Sequence, residues 1–484
     1  LKIAVHPLYS RDGGDLTMDL PVSVPDAVLG GKIPVRTPEG TVNMTIPKGS
    51  NSGQVLRLKG RGAYAAGKRG DLLNRRMTPW SSLRPTGATN VRIGPGNSMP
   101  TRPTVKPDRP WFSAGPTAKR PGWSSQGLSH ALLGRGIRAP EVVARFAHGL
   151  ELTRAVLRPP QDWVLVYTPG SDTGAVEAAL WSMLGQRPVQ VLAFENFGQQ
   201  WAIDVRDHLK LEPEVLSAPW GELPDLSRVD PAKDLVFPWN GTTSGVKMPN
   251  ADFIAADRAG LVICDATSAA FAMPLPWDRL DVVTFSFQKA LGGEAGIGIV
   301  ALSPRAVARL DAYEPPRAVP KVLRLRDARG FDRALASGSM INTFSVWTIE
   351  DWIDGLEWAI SVGGIDALFA RTEANAAALG AWVEGTDWID FLATDPASRS
   401  TTSVCLKIVD ARVTALDEAG RQAFVKRMKA LLEAEGAAFD VESHRNAPAG
   451  LRLWCGCTVE TADVMALTPW LDWAFARAVA EMDG

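Results

Sequence analysis

Lys289 closes the apolar run Leu280-Asp-Val-Val-Thr-Phe-Ser-Phe-Gln288 and leads into Ala290-Leu-Gly292-Gly293. Val282, Val283, Phe285 and Phe287 are β-branched or aromatic, the signature of a buried strand. A lysine at the end of such a strand loses hydration, which lowers its pKa, and a neutral amine is what attacks a carbonyl to form a Schiff base. A lone lysine in this position more often snorkels to solvent, so its neighbours decide the reading. Upstream, Gly260-Leu-Val-Ile-Cys264 is a second short buried strand with Asp265 at its end. A lone aspartate there would be a turn or helix cap, but two neighbouring strands ending at one edge place Asp265 and Lys289 around one ligand. A third strand, Trp163–Tyr167, turns through Thr168-Pro-Gly-Ser171-Asp172-Thr173-Gly174 into the helical pattern Ala175–Leu184. Free N–H groups at a helix start hold phosphate; Asp172 is awkward beside an anion and reads as a helix cap. Trp239-Asn-Gly-Thr242-Thr-Ser-Gly245 follows the strand Asp234–Pro238 and suits either hydrogen bonding to a ring hydroxyl or an ordinary turn.

A reactive lysine, a carboxylate for a pyridine nitrogen and a phosphate cradle are together the requirements of pyridoxal phosphate. The elements that must position them alternate strand and helix, with further pieces at Val189–Ala193 and a helix around Val205–Leu211. Alternation of this kind predicts an α/β fold built on a mainly parallel sheet with helices on both faces, and a site at the carboxyl edge of its strands. Asp351–Ile360 reads as a long linking helix into a smaller C-terminal α/β domain, with Ser403–Ile408 and Leu451–Trp454 as strands.

In order along the chain, Phe112-Ser-Ala-Gly-Pro116, Lys119-Arg-Pro-Gly-Trp123, Ser171-Asp-Thr-Gly174, Trp239–Gly245, Cys264-Asp-Ala-Thr-Ser268, Gln288-Lys289, Ile341-Asn-Thr343 and Leu451-Arg-Leu-Trp-Cys-Gly456 resemble the phosphoserine aminotransferase family. The resemblance covers roughly residues 105–480. It implies a PLP-dependent transferase of fold type I, a homodimer that passes an amino group between glutamate and 3-phosphohydroxypyruvate; the four cysteines, with no disulfide framework, point to a reduced cytoplasmic setting. The pathway implied is serine biosynthesis, with pyridoxine biosynthesis as a second one. Carried over position by position, Lys289 would hold the cofactor as a Schiff base and Asp265 would pair with its ring nitrogen. Thr242 would bind the ring hydroxyl side, and Ser171, Thr173 and Gln288 the phosphate, with Asn342 and Thr343 reaching over from the partner subunit. Phe197 is preferred to Trp201 as the ring-stacking aromatic. Arg452 would clamp the substrate carboxylate through its guanidinium fork.

One departure concerns the substrate phosphate. The family's Ser-His-Arg segment aligns with Gly136-Ile137-Arg138, so Arg138 is kept and the histidine is lost. A second His-Arg pair, His444-Arg445, is present, and Lys119, Arg120 or Arg135 could supply the missing donor. An aminotransferase for an unphosphorylated keto acid is the alternative within enzymes.

The first 73 residues carry different motifs: His6-Pro-Leu-Tyr9, Arg11-Asp-Gly-Gly-Asp-Leu16, Leu20–Val24, Ala27–Gly30, Ile46-Pro-Lys-Gly49, Leu58-Lys-Gly-Arg-Gly62 and Gly70-Asp-Leu72. These resemble the second C-terminal β-domain of J-domain co-chaperones, which implies unfolded-protein binding as a reading of another class. Val22/Val24, Ile33/Val35 and Val42/Met44/Ile46 alternate as strands, with Pro38-Glu-Gly40 as a turn. Residues 74–110 hold seven Lys/Arg against one acid and seven prolines, with no apolar periodicity. Such a stretch is expected to stay disordered. The expected division is 1–73 β-fragment, 74–104 linker, 105–355 large domain and 356–484 small domain. The chain opens on Leu1, and the β-fragment is expected to be an appended fusion piece, with Met99 as the enzyme's own start.

Charge narrows the partners. Ten Lys/Arg against six Asp/Glu in residues 1–73, with the basic linker, offset an acidic enzyme portion, and the whole chain sums to −1. No bulk attraction to nucleic acid or membrane follows. No apolar run reaches the ~18 residues of a membrane span. Cys264, Cys405, Cys455 and Cys457 show neither a disulfide framework nor a zinc spacing, and no metal site is expected. Cys455 and Cys457 are expected on one strand face in the core, and the seventeen tryptophans, Trp352, Trp358 and Trp382 among them, as packing.

Overall fold

The computed structural model describes residues 9–22, 31–47, 55–65, 68–79 and 100–482. The chain forms two compact units, residues 1–91 and 92–484. In the first, Asp15–Val22 pairs antiparallel with Ser10–Asp12 and parallel with Leu72–Pro79, which also pairs with Leu56–Leu58. Gly31–Thr37 and Gly40–Ile46 make a hairpin across the expected turn at Pro38-Glu39. Alternation sends Leu16, Leu20, Val35, Met44, Ile46 and Leu72 into a small core. The buried Asp71 carboxylate accepts from Gly60 N at 2.6 Å and pairs with Arg57, which ties the Gly-Asp-Leu and Leu-Lys-Gly-Arg-Gly motifs together. His6, Val24, the Ala27–Gly30 and Lys48-Gly49 pieces, residues 80–99 and Met99 lie outside the described residues.

The first residues of the expected linker are structured. Residues 74–79 complete the strand Leu72–Pro79. Residues 100–110 are also held. Arg102 Nε donates to Glu435 Oε1 at 2.7 Å, Trp470 Nε1 to Val105 O at 2.7 Å, and Asp108 N to Asp463 Oδ1 at 2.8 Å. Basic, proline-rich composition argues against a core of its own, not against docking on an acidic neighbour.

The second unit is built on a seven-stranded sheet in the order Glu214–Ser217, Val189–Ala193, Asp234–Pro238, Val262–Asp265, Val282–Ser286, Ile297–Leu302, Val164–Pro169. Six strands run one way; Ile297–Leu302 opposes both its neighbours. The two-residue period of a strand sorts side chains between two cores. Val236, Ile263, Val282 and Val300 pack with the helix Ser171–Met183 on one face, and Phe237, Cys264, Val283 and Ile299 with Pro140–Leu157 and Val346–Ser361 on the other. A third core holds the C-terminal part, where Ile389–Phe391, Ser403–Ile408 and Leu451–Trp454 form an antiparallel sheet against Ile365–Glu384, Glu418–Ala434 and Thr461–Ala480.

Two expectations shift. The helix sought at Val205–Leu211 begins at Asn196, because Glu195 caps it by accepting from Gly198 N at 2.7 Å, and a wide turn at Asp204–His208 ends it. Cys455 and Cys457 are buried, but the strand stops at Trp454, so they fall into different cores.

Candidate functional site

The Lys289 turn is anchored from beneath. Phe287 stacks on Trp352 with centroids 4.2 Å apart, and Trp352 Nε1 donates to Thr153 Oγ1 at 2.9 Å. Gly292 N closes the turn on Lys289 O at 2.8 Å. Gly292 has φ +66°, and any Cβ there would collide with Ala118 O, so only glycine serves. From above, the segment Ala114–Thr117 closes over the lysine. Lys289 Nζ donates to Ala114 O, Thr117 N to Gln288 O at 3.0 Å, and Thr117 Oγ1 to Lys289 O. A Cβ on Gly115 would run into the Lys289 amine. Burial lowers the Lys289 pKa to about 8, helped by the positive charge of Arg452 and opposed by Asp265, Asp172 and Glu195.

Asp265 ends its strand as expected and is buried one strand away, in register with Thr284. Trp201 Nε1 donates to its Oδ2 at 3.1 Å and Thr267 N to its Oδ1 at 3.0 Å. Those donors leave a carboxylate fixed at the carboxyl edge of the sheet, although burial raises its pKa. Trp201 is thus occupied with Asp265. Phe197, its rival as the stacking ring, lies 6.1 Å from the His444 ring.

Ser171 and Thr173 take the first and third positions of the helix Ser171–Met183, whose opening N–H groups have no partners within the helix. Gly170, not Asp172, occupies the cap position. Asp172 is buried and faces Asp265, away from the helix end. Ser171 Oγ accepts from Gly296 N at 2.8 Å, and the Gln288 Oε1 is buried with no hydrogen-bond partner. The Thr242 hydroxyl donates to Ser268 Oγ at 2.8 Å. A helix start with Ser171 and Thr173 on it, and a fixed carboxylate, around one buried amine fit the phosphate, ring nitrogen and aldehyde of pyridoxal phosphate.

Arg452 stands on the strand Leu451–Trp454, and its Nε is buried with no hydrogen-bond partner. It opens on a cavity of about 330 Å³ also lined by Ser113, Glu442, His444 and Arg445. Burial lowers the His444 pKa to about 4, with Arg452, Arg445 and Lys289 adding to the shift. The ring is therefore neutral near pH 7, and its Nδ1 accepts from Asn446 N at 3.3 Å. The second His-Arg pair thus offers one charge rather than two. Asn446 also reaches Asn196 Oδ1 at 2.8 Å, joining the C-terminal part to the helix that carries Phe197 and Trp201.

The remaining candidates stand apart. Arg138 is exposed and does not line this cavity; Ile137 packs against the large core. Lys119, Arg120 and Arg135, proposed as spare phosphate donors, are engaged with Asp351 and Glu294, with Asp354, and with Glu141. Asn342 and Thr343 are exposed, with only a local bond from Asn342 Nδ2 to Thr343 O at 3.3 Å. Sequence reasoning missed Glu195, which is wholly buried, bonded to Thr243 Oγ1 at 2.7 Å and pushed up to about 7 by burial. Only its place after the strand Val189–Ala193 hinted at it.

The chain is 46% identical over 375 residues to a phosphoserine aminotransferase of Methanosarcina mazei, covering 77% of this chain and 99% of that protein. Among solved structures, a phosphoserine aminotransferase from Cytophaga hutchinsonii superposes with a TM-score of 0.63 at 17% identity, covering 78% of this chain and 99% of that one. A PLP-bound phosphoserine aminotransferase from Trichomonas vaginalis does so with 0.59 at 17%, covering 75% and 99%. Residues 1–76 match the family model of the DnaJ C terminal domain.

Proposed function

Because the chain belongs to the phosphoserine aminotransferase family, we propose that it moves an amino group between glutamate and 3-phosphohydroxypyruvate, in serine biosynthesis. The observation that carries this reading is the buried Lys289 amine, its pKa lowered to about 8, sharing one site with Asp265 and Arg452. Pyridoxal phosphate, when bound, supplies the electron sink that lets a substrate Cα–H bond break. Asp265 is the counter-charge for the ring nitrogen, held in place by Trp201 and Thr267. Ser171, Thr173 and Gln288 receive the cofactor phosphate, Thr242 the side of the ring hydroxyl, and Phe197 its face. Arg452 orients the α-carboxylate of either substrate, and Arg445, on the same cavity, is the remaining cation for the substrate phosphate. Lys289 Nζ, deprotonated, accepts the proton released from the substrate Cα. Closure by Ala114–Thr117 keeps water from that amine. The working form is a cytoplasmic homodimer in which Asn342 and Thr343 of each subunit serve the other's cofactor phosphate.

A panel of keto-acid acceptors tests the substrate. The phosphorylated acid should exceed its unphosphorylated counterpart in kcat/KM by at least tenfold, the worth of about one charge-assisted hydrogen bond. Equal rates would reassign the enzyme to unphosphorylated acids. The lysine makes a second prediction. Only the neutral amine attacks an aldehyde, so uptake of pyridoxal phosphate by apoprotein should quicken as pH rises through about 8 and level off above it. Stopped-flow absorbance would show this, and a rate flat from pH 6 to 10 would deny Lys289 that role.

The N-terminal unit offers no group to this chemistry, since every residue named above lies beyond residue 110. Removing residues 1–98 should leave activity per subunit and the dimeric state unchanged, as turnover rates and solution masses of the two forms would show. Loss of cofactor or of the dimer on truncation would show that the β-unit belongs to the enzyme.

A further inference from the structure

Beneath the cofactor site lies a second carboxyl group that touches neither substrate nor cofactor in the proposed transamination. Asp172 is 6% exposed, and neither of its oxygens has a hydrogen-bond partner. The two-residue period places Thr168, Thr284 and Asp265 on the same sheet face, under the helix that carries Asp172. The Thr168 and Thr284 hydroxyls are buried and unpartnered as well. Two ionised carboxylates have nothing to donate to each other, and like charges this close cannot both persist. With one proton between them, the Asp172 oxygens gain a partner, and Asp265 gains a third donor beside Trp201 and Thr267.

We propose that Asp172 is a positioning residue of the aminotransferase site: it remains a neutral carboxylic acid and donates a hydrogen bond to Asp265, fixing one negative charge toward the ring nitrogen. This rests on the family reading of Lys289 and Asp265 and deepens it. Burial, then the charge of Asp265, pushes the Asp172 pKa well up, with the nearby Thr284 hydroxyl and then Lys289 opposing. The strand Ile297–Leu302 brings no titratable group, and Cys264 and Tyr167 point into the opposite core.

The test uses Asp172→Asn, which keeps a donor without a charge, and Asp172→Val, which keeps the size without a donor. In the holoenzyme, Asp172→Val should lose about tenfold or more in kcat at unchanged KM for glutamate, and Asp172→Asn should recover most of that loss. The second readout is the melting temperature of the apoproteins against pH. A raised folded-state pKa gives stability that is full below the unfolded value and lost as pH climbs toward the folded one. The Asn variant therefore gains on the wild type as pH rises above about 4. If Asn harms kcat as much as Val, Asp172 acts as an anion and the proposal falls. It falls equally if neither variant changes kcat, or if the melting difference does not vary with pH. A wild-type protein that binds no pyridoxal phosphate would instead overturn the functional reading, and the apoprotein melts would still judge the carboxyl pair.

Discussion

Lys289→Ala should reduce transamination to below roughly a thousandth of the wild-type rate, because a positioned general base alone contributes about 10² to 10⁴ and the same amine anchors the cofactor. The fold should survive. Lys289 donates only to Ala114 O, while the turn that carries it is held by Phe287 on Trp352, by Gly292 N and by Thr117. Removing a buried amine whose burial already costs it part of its charge should leave the melting temperature near the wild-type value. Circular dichroism melts and single-turnover amino transfer on one preparation would separate the two effects. An Ala variant that keeps a tenth of the activity would exclude Lys289 as the reactive amine.

What the sequence revealed of this site follows from where each residue's information is stored. Asp265 ends the strand Val262–Asp265, and Lys289 stands in the turn just past Val282–Ser286, so runs of β-branched and aromatic residues placed both at the carboxyl edge of the sheet. Arg452, in the four-residue strand Leu451–Trp454, was legible only through the family resemblance. Trp201 was weighed as a stacking ring, but its indole N–H serves Asp265, 64 residues away. Nothing in a helix pattern announces that. Asp172 sits where aspartate usually caps a helix; its neighbour Gly170, at φ +85°, takes that place and sends the carboxyl inward. Ala114 meets Lys289 across 175 residues. Ionic choices were equally hidden. Lys119 and Arg120 look free for a phosphate until Asp351 and Asp354, on the helix Val346–Ser361, claim them.

Arg452→Leu should cut kcat/KM of both half-reactions by about two powers of ten, the loss of roughly 3 kcal/mol for a desolvated bidentate pair. Both fall because glutamate and the phosphorylated acid present the same α-carboxylate. The structure leaves this guanidinium in wait: its Nε is buried without a partner, an arrangement that costs stability unless a ligand anion completes it. Leucine should therefore not lower the melting temperature, and cofactor content should hold. A further consequence separates the clamp from general damage. Arg452 is the second cause, after burial, of the low Lys289 pKa. Without that positive charge the lysine holds its proton more tightly, so the pH at which apoprotein takes up pyridoxal phosphate should move upward. A variant with slowed half-reactions but an unmoved uptake profile would place Arg452 away from the amine. One with either half-reaction intact would deny it the shared carboxylate, and the clamp would have to be sought at Arg445.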